Sequence, residues 1–214
     1  MTKLFLLTIP VLIGVLVGLL MSSMAEPEQS HTQIVPSKLI KNGSPILGDS
    51  NAPITILEWG DYQCTYCYKF HQNTLNVINE DFVKDGKVRI VFKDFPLNGP
   101  DSQLAAQASY CAEDQGKYWE YHDELYKNWG GERTGWITRD SLERFANTVH
   151  LDITEFNECL DSEKYHQRVT ELHEFGKEIG IDATPSFLIF NDEKIFKIRG
   201  NQPLEVFLKT FDEL

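Results

Sequence analysis

The chain has 214 residues, of which 32 are acidic and 20 basic, giving a formal net charge of −12. A hydrophobic share of 42% and a charged share of 24% exclude a wholly disordered chain. The acidic balance argues against nucleic acid as a partner.

Lys3 is the only charge before Glu26, and Leu4 to Leu20 is apolar apart from Thr8, Pro10 and two glycines. Residues 1–25 therefore read as an export signal, with small residues at Ser23 and Ala25 favouring cleavage after Ala25. The apolar run is also close to the shortest that spans a bilayer, so an uncleaved N-terminal anchor is the alternative. In either case Lys3 stays inside, and the rest of the chain is expected to be extracytoplasmic. Residues 26–36 (EPEQSHTQIVP) are polar, carry two prolines and show no periodicity, as in a flexible tether. About 180 residues remain at 37–214, the size of one domain carrying an insertion.

Ile54 to Trp59 (ITILEW) is the pattern of a buried strand, and it leads through Gly60-Asp61-Tyr62-Gln63 into Cys64. After it, Phe70, Thr74, Val77, Ile78 and Phe82 recur at helical spacing until Gly86. Lys87 to Phe92 alternates as a second strand. From about 99 to 162 the signals are helical throughout. They run through Leu104, Ala108, Cys111 and Ala112, then Trp119, His122, Leu125, Tyr126 and Trp129. Asp140 with Glu143 and Asp152 with Glu155 mark further helix starts. A helix from about Lys164 to Ile179 ends at Gly180. Ser186 to Phe190 and Lys194 to Ile198 form a hairpin about Asn191-Asp192-Glu193, and Pro203 opens a last amphipathic helix. The order βαβ, helical block, αββα predicts an α/β sheet with helices on both faces and an all-helical insertion.

Cys64-Thr65-Tyr66-Cys67 lies where a strand hands over to a helix N-terminus. Unpaired N–H groups and the helix dipole there stabilise a thiolate. Cys64 is expected to be the exposed, acidic nucleophile and Cys67 the shielded resolving thiol. The bland reading is an inert disulfide or half a zinc site, but Cys111 and Cys159 form no second knuckle. Those two cysteines lie 48 residues apart on predicted helices. Bridging them would stabilise the block by roughly 4 kcal/mol on the loop-entropy estimate, and a second redox relay is the sharper alternative. His71, His122 and His166 are isolated histidines without metal-ligand spacing, so no metal is expected. Trp119, Trp129 and Trp136 with Tyr118, Tyr121 and Tyr126 point to packing within the helical block rather than to a substrate surface.

The run ITILEWGDYQCTYC, followed far downstream by ATPSFLIF, resembles the DsbA-like branch of the thioredoxin superfamily over roughly residues 45–214. The resemblance implies a thioredoxin-like fold in which the block at 99–162 is that branch's helical insertion. It also implies a cis Thr184-Pro185 bond beside the cysteines. Thr184 and Pro185, with Thr65 and Tyr66, would then hold an extended substrate segment. Glu58, six residues before Cys64, falls where such proteins carry a buried acid able to relay a proton to Cys67, with Asp61 as the competing acid. Between the cysteines this chain has no histidine of the kind found in the best-known oxidants of the family. The expected activity is donation of the Cys64–Cys67 disulfide to reduced or unfolded exported polypeptides, without a cofactor, by a monomer that a membrane-embedded partner reoxidises. A disulfide reductase or isomerase, or a non-enzymatic peptide-binding holdase, are the alternatives.

Overall fold

The computed structural model describes residues 36–214. The expected export segment at 1–25, and all but the last residue of the expected tether, lie outside the described residues. Four strands, β1 (Ile54–Gly60), β2 (Val88–Asp94), β3 (Ser186–Phe190) and β4 (Ile195–Arg199), form one sheet in the order β2-β1-β3-β4. β1 runs parallel to β2, whereas β3 is antiparallel to both β1 and β4. Central β1 is covered on both faces, which is why its sequence is a nearly continuous apolar run rather than an alternating one.

A short helix α1 (Pro36–Ile40) precedes the sheet. The helical run α2 follows Cys64 and is built of α-helical Thr65–Lys69 and Asn76–Ile78 interleaved with π-helical Phe70–Leu75 and Asn79–Val83. The wider π turns rotate the register. Phe70, Thr74 and Ile78 face inward as their spacing predicts, but Val77 is turned out and is 36% exposed.

The helical block consists of α3 (Pro100–Glu113), α4 (Tyr118–Lys127), α5 (Arg139–Thr148) and α6 (Ile153–Asp161). The cap of α5 is Thr138 rather than Asp140. Thr138 has extended backbone, and its hydroxyl accepts from the Ser141 N–H at 3.1 Å while Ser141 Oγ accepts from the Thr138 N–H at 2.8 Å. Asp140 instead lies in the first turn, where it acts only through its charge on the helix dipole. Asp152 caps α6 through the Glu155 N–H at 3.0 Å. The long helix α7 (His166–Glu178) begins two residues later than its periodicity predicts, and Gly180, at φ +76°, turns the chain out of it. Pro203 stands just outside the last helix, α8 (Leu204–Glu213).

Alternate strand residues feed opposite layers. Ile56, Ile90, Phe187 and Ile189 pack with Phe70 and Ile78 of α2 and with Phe207 and Phe211 of α8. Leu57, Trp59, Val91 and Leu188 face the other way, towards Phe95 and Phe175 of α7. Each fully buried side chain of this kind stabilises the fold by about 1.5–3 kcal/mol. Glu58 alternates with Leu57 and Trp59, and its strand partners are Phe92 and Phe187, so it falls on the layer covered by α2. A third cluster joins Cys64 and Cys67 to Tyr121, Leu125, Tyr126, Leu142 and Phe156 of the insertion. The cysteine turn thus sits at the seam between sheet and helical block. Among the described residues no helix is long and apolar enough to cross a membrane.

Candidate active site

β1 ends at Gly60, where any Cβ would come within 2.3 Å of the Phe92 ring, so only glycine lets the chain pass into the turn. The next residue, Asp61, is buried and its carboxylate gathers five hydrogen bonds. Gln63 N–H (2.8 Å) and the Ser102 hydroxyl (2.7 Å) donate to one oxygen. The N–H groups of Leu97 (2.7 Å) and Asn98 (2.8 Å) and the Asn98 amide (3.0 Å) donate to the other. With its lone pairs so occupied, Asp61 staples the turn to the loop after β2.

Cys64 is the N-cap residue of α2, with extended backbone at φ −66° and ψ 124°. It is not the exposed thiol that its position predicts: only 5% of its surface is accessible. The chain before β3 closes over it, and the Thr184 carbonyl accepts from the Cys64 thiol at 3.4 Å. The Thr184-Pro185 peptide is cis. Thr184 and Thr65 are half-buried, Pro185 is buried, and Tyr66 is 57% exposed beside Cys64.

Both cysteines of the motif are free thiols, and their surroundings separate them. The Cys64 thiol is lowered from 9.0 to about 7, foremost by its hydrogen bond with the Cys67 thiol. Burial opposes this, while the Thr184 side chain and the N–H groups of Cys67 and Tyr66 assist it. Cys67 has no accessible surface. Burial pushes it well above 9.0, and its bond to Cys64 and the charges of Cys64 and Glu58 push the same way. Glu58, 4% exposed, is raised from 4.5 to about 8, mainly by burial and then by the Cys64 charge. At neutral pH the site therefore holds one thiol on the edge of ionisation, one that keeps its proton, and a protonated carboxyl.

Cys111 and Cys159 belong to the helical insertion. A disulfide joins them, with Cα atoms 5.8 Å apart, and ties α3 to α6. Tyr118, Tyr121 and Tyr126 are buried among the helices of the insertion. His166 lies exposed at the start of α7. His71 and His122, isolated in sequence, come together about Asp123: His71 Nε2 lies 3.0 Å and His122 Nδ1 3.4 Å from one carboxylate oxygen. Their spacing concealed this because they belong to α2 and α4. The three ligand-type atoms lie within 4.8 Å of one another, a set able to hold a metal. The same arrangement is already satisfied as a carboxylate shared by two imidazoles. Burial lowers His122 to about 4, and hydrogen bonds from both rings more than offset the effect of burial on Asp123, holding it below the usual carboxylate range. Among the described residues the opposite nitrogens, His71 Nδ1 and His122 Nε2, are buried without a partner, so metal ligation would leave two N–H groups unpaired by them.

Sequence reasoning missed three residues of the site. Gln63 is fully buried, and its side chain bonds Ser102 (2.9 Å), the Asn98 carbonyl (3.3 Å) and the Arg133 N–H (2.9 Å). Glu132 accepts from the Thr65 N–H at 2.8 Å. Arg133 donates to the Leu97 carbonyl at 3.2 Å. Glu132 and Arg133 lie 67 or more residues beyond the turn they touch, in a loop whose local sequence carries no signal of that contact.

A strand-to-helix pair of unequal thiols, a buried acid on the same layer and a cis-proline loop over the more acidic sulfur can make, hold and break a disulfide. The family model described as Thioredoxin matches residues 41–213. The chain is 31% identical over 173 residues to disulfide bond formation protein D of Bacillus subtilis, covering 79% of this chain and 77% of that protein. A probable disulfide bond formation protein D of Bacillus cereus is 28% identical, with 67% and 68% covered. Among solved structures, oxidised BdbD from Bacillus subtilis superimposes with a TM-score of 0.72 at 28% identity, over 81% of this chain and 93% of that one. The Wolbachia pipientis alpha-DsbA1 structure gives 0.71 at 28% identity, over 81% and 91%. On its fold, its paired thiols and these likenesses together, the chain belongs to the DsbA-like branch of the thioredoxin superfamily and is a protein thiol–disulfide oxidoreductase.

Proposed function

We propose that the protein donates the Cys64–Cys67 disulfide to pairs of thiols in exported polypeptides. The observation that carries this reading is the inequality of the two sulfurs: a thiol lowered to about 7 under the Thr184 carbonyl, against a sealed one raised well above 9.0. In the oxidised enzyme a substrate thiolate attacks Cys64 Sγ. The Cys64–Cys67 bond breaks, and Cys67 leaves with the electron pair. Its high affinity for a proton calls for a donor, and Glu58, whose burial raises its carboxyl well above the usual range, is the acid at hand. A second substrate thiolate then attacks the substrate sulfur of the mixed disulfide and expels Cys64, whose acidity makes it a good leaving group. The substrate gains a disulfide and the enzyme becomes a dithiol.

Thr184 and Pro185, just before the ladder of β3, with Thr65 and Tyr66 opposite, form the groove for an extended substrate segment. A membrane-embedded partner restores the disulfide. The N-terminal residues 1–25 supply export, as a cleaved signal or as an anchor. The names of the Bacillus relatives, which speak of disulfide bond formation, support donation over reduction. Cys67→Ala tests the assignment, because it leaves Cys64 reactive without its intramolecular partner. Substrate-linked adducts should accumulate on Cys64 and dissolve on adding reductant. Trapping by Cys64→Ala instead would reverse the two roles. Titration against glutathione buffers fixes direction, since each 30 mV corresponds to about 1.4 kcal/mol.

A further inference from the structure

The first turn of α2 exposes backbone N–H groups that no helical carbonyl can satisfy. Those of Tyr66 and Cys67 turn to the Cys64 sulfur. The N–H of Thr65 is taken by a carboxylate from the insertion, Glu132, at 2.8 Å. The contact is built rather than incidental, because the loop bearing Glu132 is latched to both sides of the cysteine motif. Before the motif, the Trp129 indole N–H donates to the Gln63 carbonyl at 2.9 Å and the Arg133 N–H to the Gln63 side chain at 2.9 Å. After it, Trp129 stacks on Tyr68 with ring centroids 4.6 Å apart. The Arg133 guanidinium is engaged by the Leu97 carbonyl at 3.2 Å, while the Glu132 carboxylate takes the Thr65 N–H of the helix terminus.

We infer that Glu132 is a positioning residue that shares the helix N-terminus with Cys64 and thereby holds back the oxidising power of the motif. The carboxylate is present in both redox states, but it repels only the thiolate, which exists in the dithiol form. It therefore destabilises the reduced protein relative to the disulfide. The titratable groups about Cys64 are Cys67 on its own turn, Glu58 on β1, Tyr126 on α4 and Glu132 on the loop. Among the described residues Glu132 is the one of these carboxylates that bonds an N–H of the helix terminus, from the exposed side. The inference rests on Cys64 as the nucleophile and holds whichever way electrons flow in the cell.

The test compares wild type, Glu132→Gln and Glu132→Ala by thiolate absorbance against pH and by equilibrium with glutathione. In that equilibrium, protein dithiol and glutathione disulfide yield protein disulfide and two glutathiones. Gln keeps an acceptor for the Thr65 N–H and removes the charge. It should lower the Cys64 midpoint by about half a pH unit and the equilibrium constant by about two- to fivefold, the size of one near-surface charge. Both differences should shrink at 1 M salt. Glu132→Ala should shift both constants the same way and also lower the melting temperature. Unchanged constants in both variants, with only a lowered melting temperature in Ala, would make Glu132 a structural cap and overturn the inference. A wild-type Cys64 that titrates as an ordinary thiol would overturn it together with the nucleophile assignment.

Discussion

Cys64 and Cys67 lie three residues apart at a strand-to-helix junction, whereas Cys111 and Cys159 lie 48 residues apart on two helices of the insertion. All four sulfurs are largely buried. What separates the pairs is the company they keep. In the first pair the hydrogen bond between the two thiols, assisted by helix N–H groups, lowers Cys64, while burial and then that same bond and the charges of Cys64 and Glu58 raise Cys67. The second pair packs among apolar neighbours of α3 and α6, borders a pocket lined by Asp114, Glu155, Glu158 and Lys164 without a hydrogen bond from them, and is already joined in a disulfide that closes a long loop. Burial alone makes a cysteine inert; burial beside directed polar groups makes it selective.

The widest expected difference between the pairs is in activity. Cys64→Ala should abolish exchange, to below a thousandth of wild type, in an assay that follows oxidation of a dithiol peptide. Substantial residual exchange would mean that the second pair, or Cys67, reaches substrate.

Glu58 tests the environment of the first pair. Its carboxyl is raised from 4.5 to about 8 by burial and by the Cys64 charge. A raised folded-state value contributes stability that is complete below pH 4.5 and is lost as pH rises through 8. Glu58→Gln cannot ionise, so in the dithiol form it should become the more stable protein as pH climbs through that window. The 3.5 pH units between the two values set an upper bound of about 5 kcal/mol on the gain. Urea unfolding at pH 5 and pH 9 checks it, and equal pH dependence in the two proteins would refute a buried acid. The same variant should slow the proton-linked exchange step near neutral pH.

The second pair is expected to show the reverse profile. Replacing Cys111 and Cys159 by alanine should cost about 4 kcal/mol of stability through the freed 48-residue loop and spare most exchange activity. A stable but inactive double variant would identify a relay instead. A smaller effect belongs to the staple under the motif. Asp61→Asn weakens five hydrogen bonds to an anion and should cost about 2 kcal/mol, read as a shift in the urea midpoint.

The sheet was legible in the sequence because its strands are β-branched runs between turn residues, and Cys64-Thr65-Tyr66-Cys67 announced itself by spacing. The buried-side placement of Glu58 also follows from strand alternation. Other features depend on distant contacts. Val77 is turned outward by π turns that helical periodicity does not encode. The Thr138 cap outcompetes Asp140 because its own backbone is extended and its hydroxyl meets Ser141. Cys64 is covered rather than exposed because the segment ending at Thr184, 120 residues away, folds over it. Gln63, Glu132 and the His71–Asp123–His122 group became visible only when α2 and the insertion were brought side by side.

The central claim is that position, and not chemistry, assigns the roles within the motif, and it is tested most directly by alkylating the reduced protein across pH and mapping the modified cysteines by mass spectrometry. Cys64 should react first, with a rate that rises through a midpoint near pH 7, while Cys67 stays unmodified up to about pH 9 unless the protein is unfolded. Preferential modification of Cys67, or equal rates with a common midpoint near 9, would contradict the account.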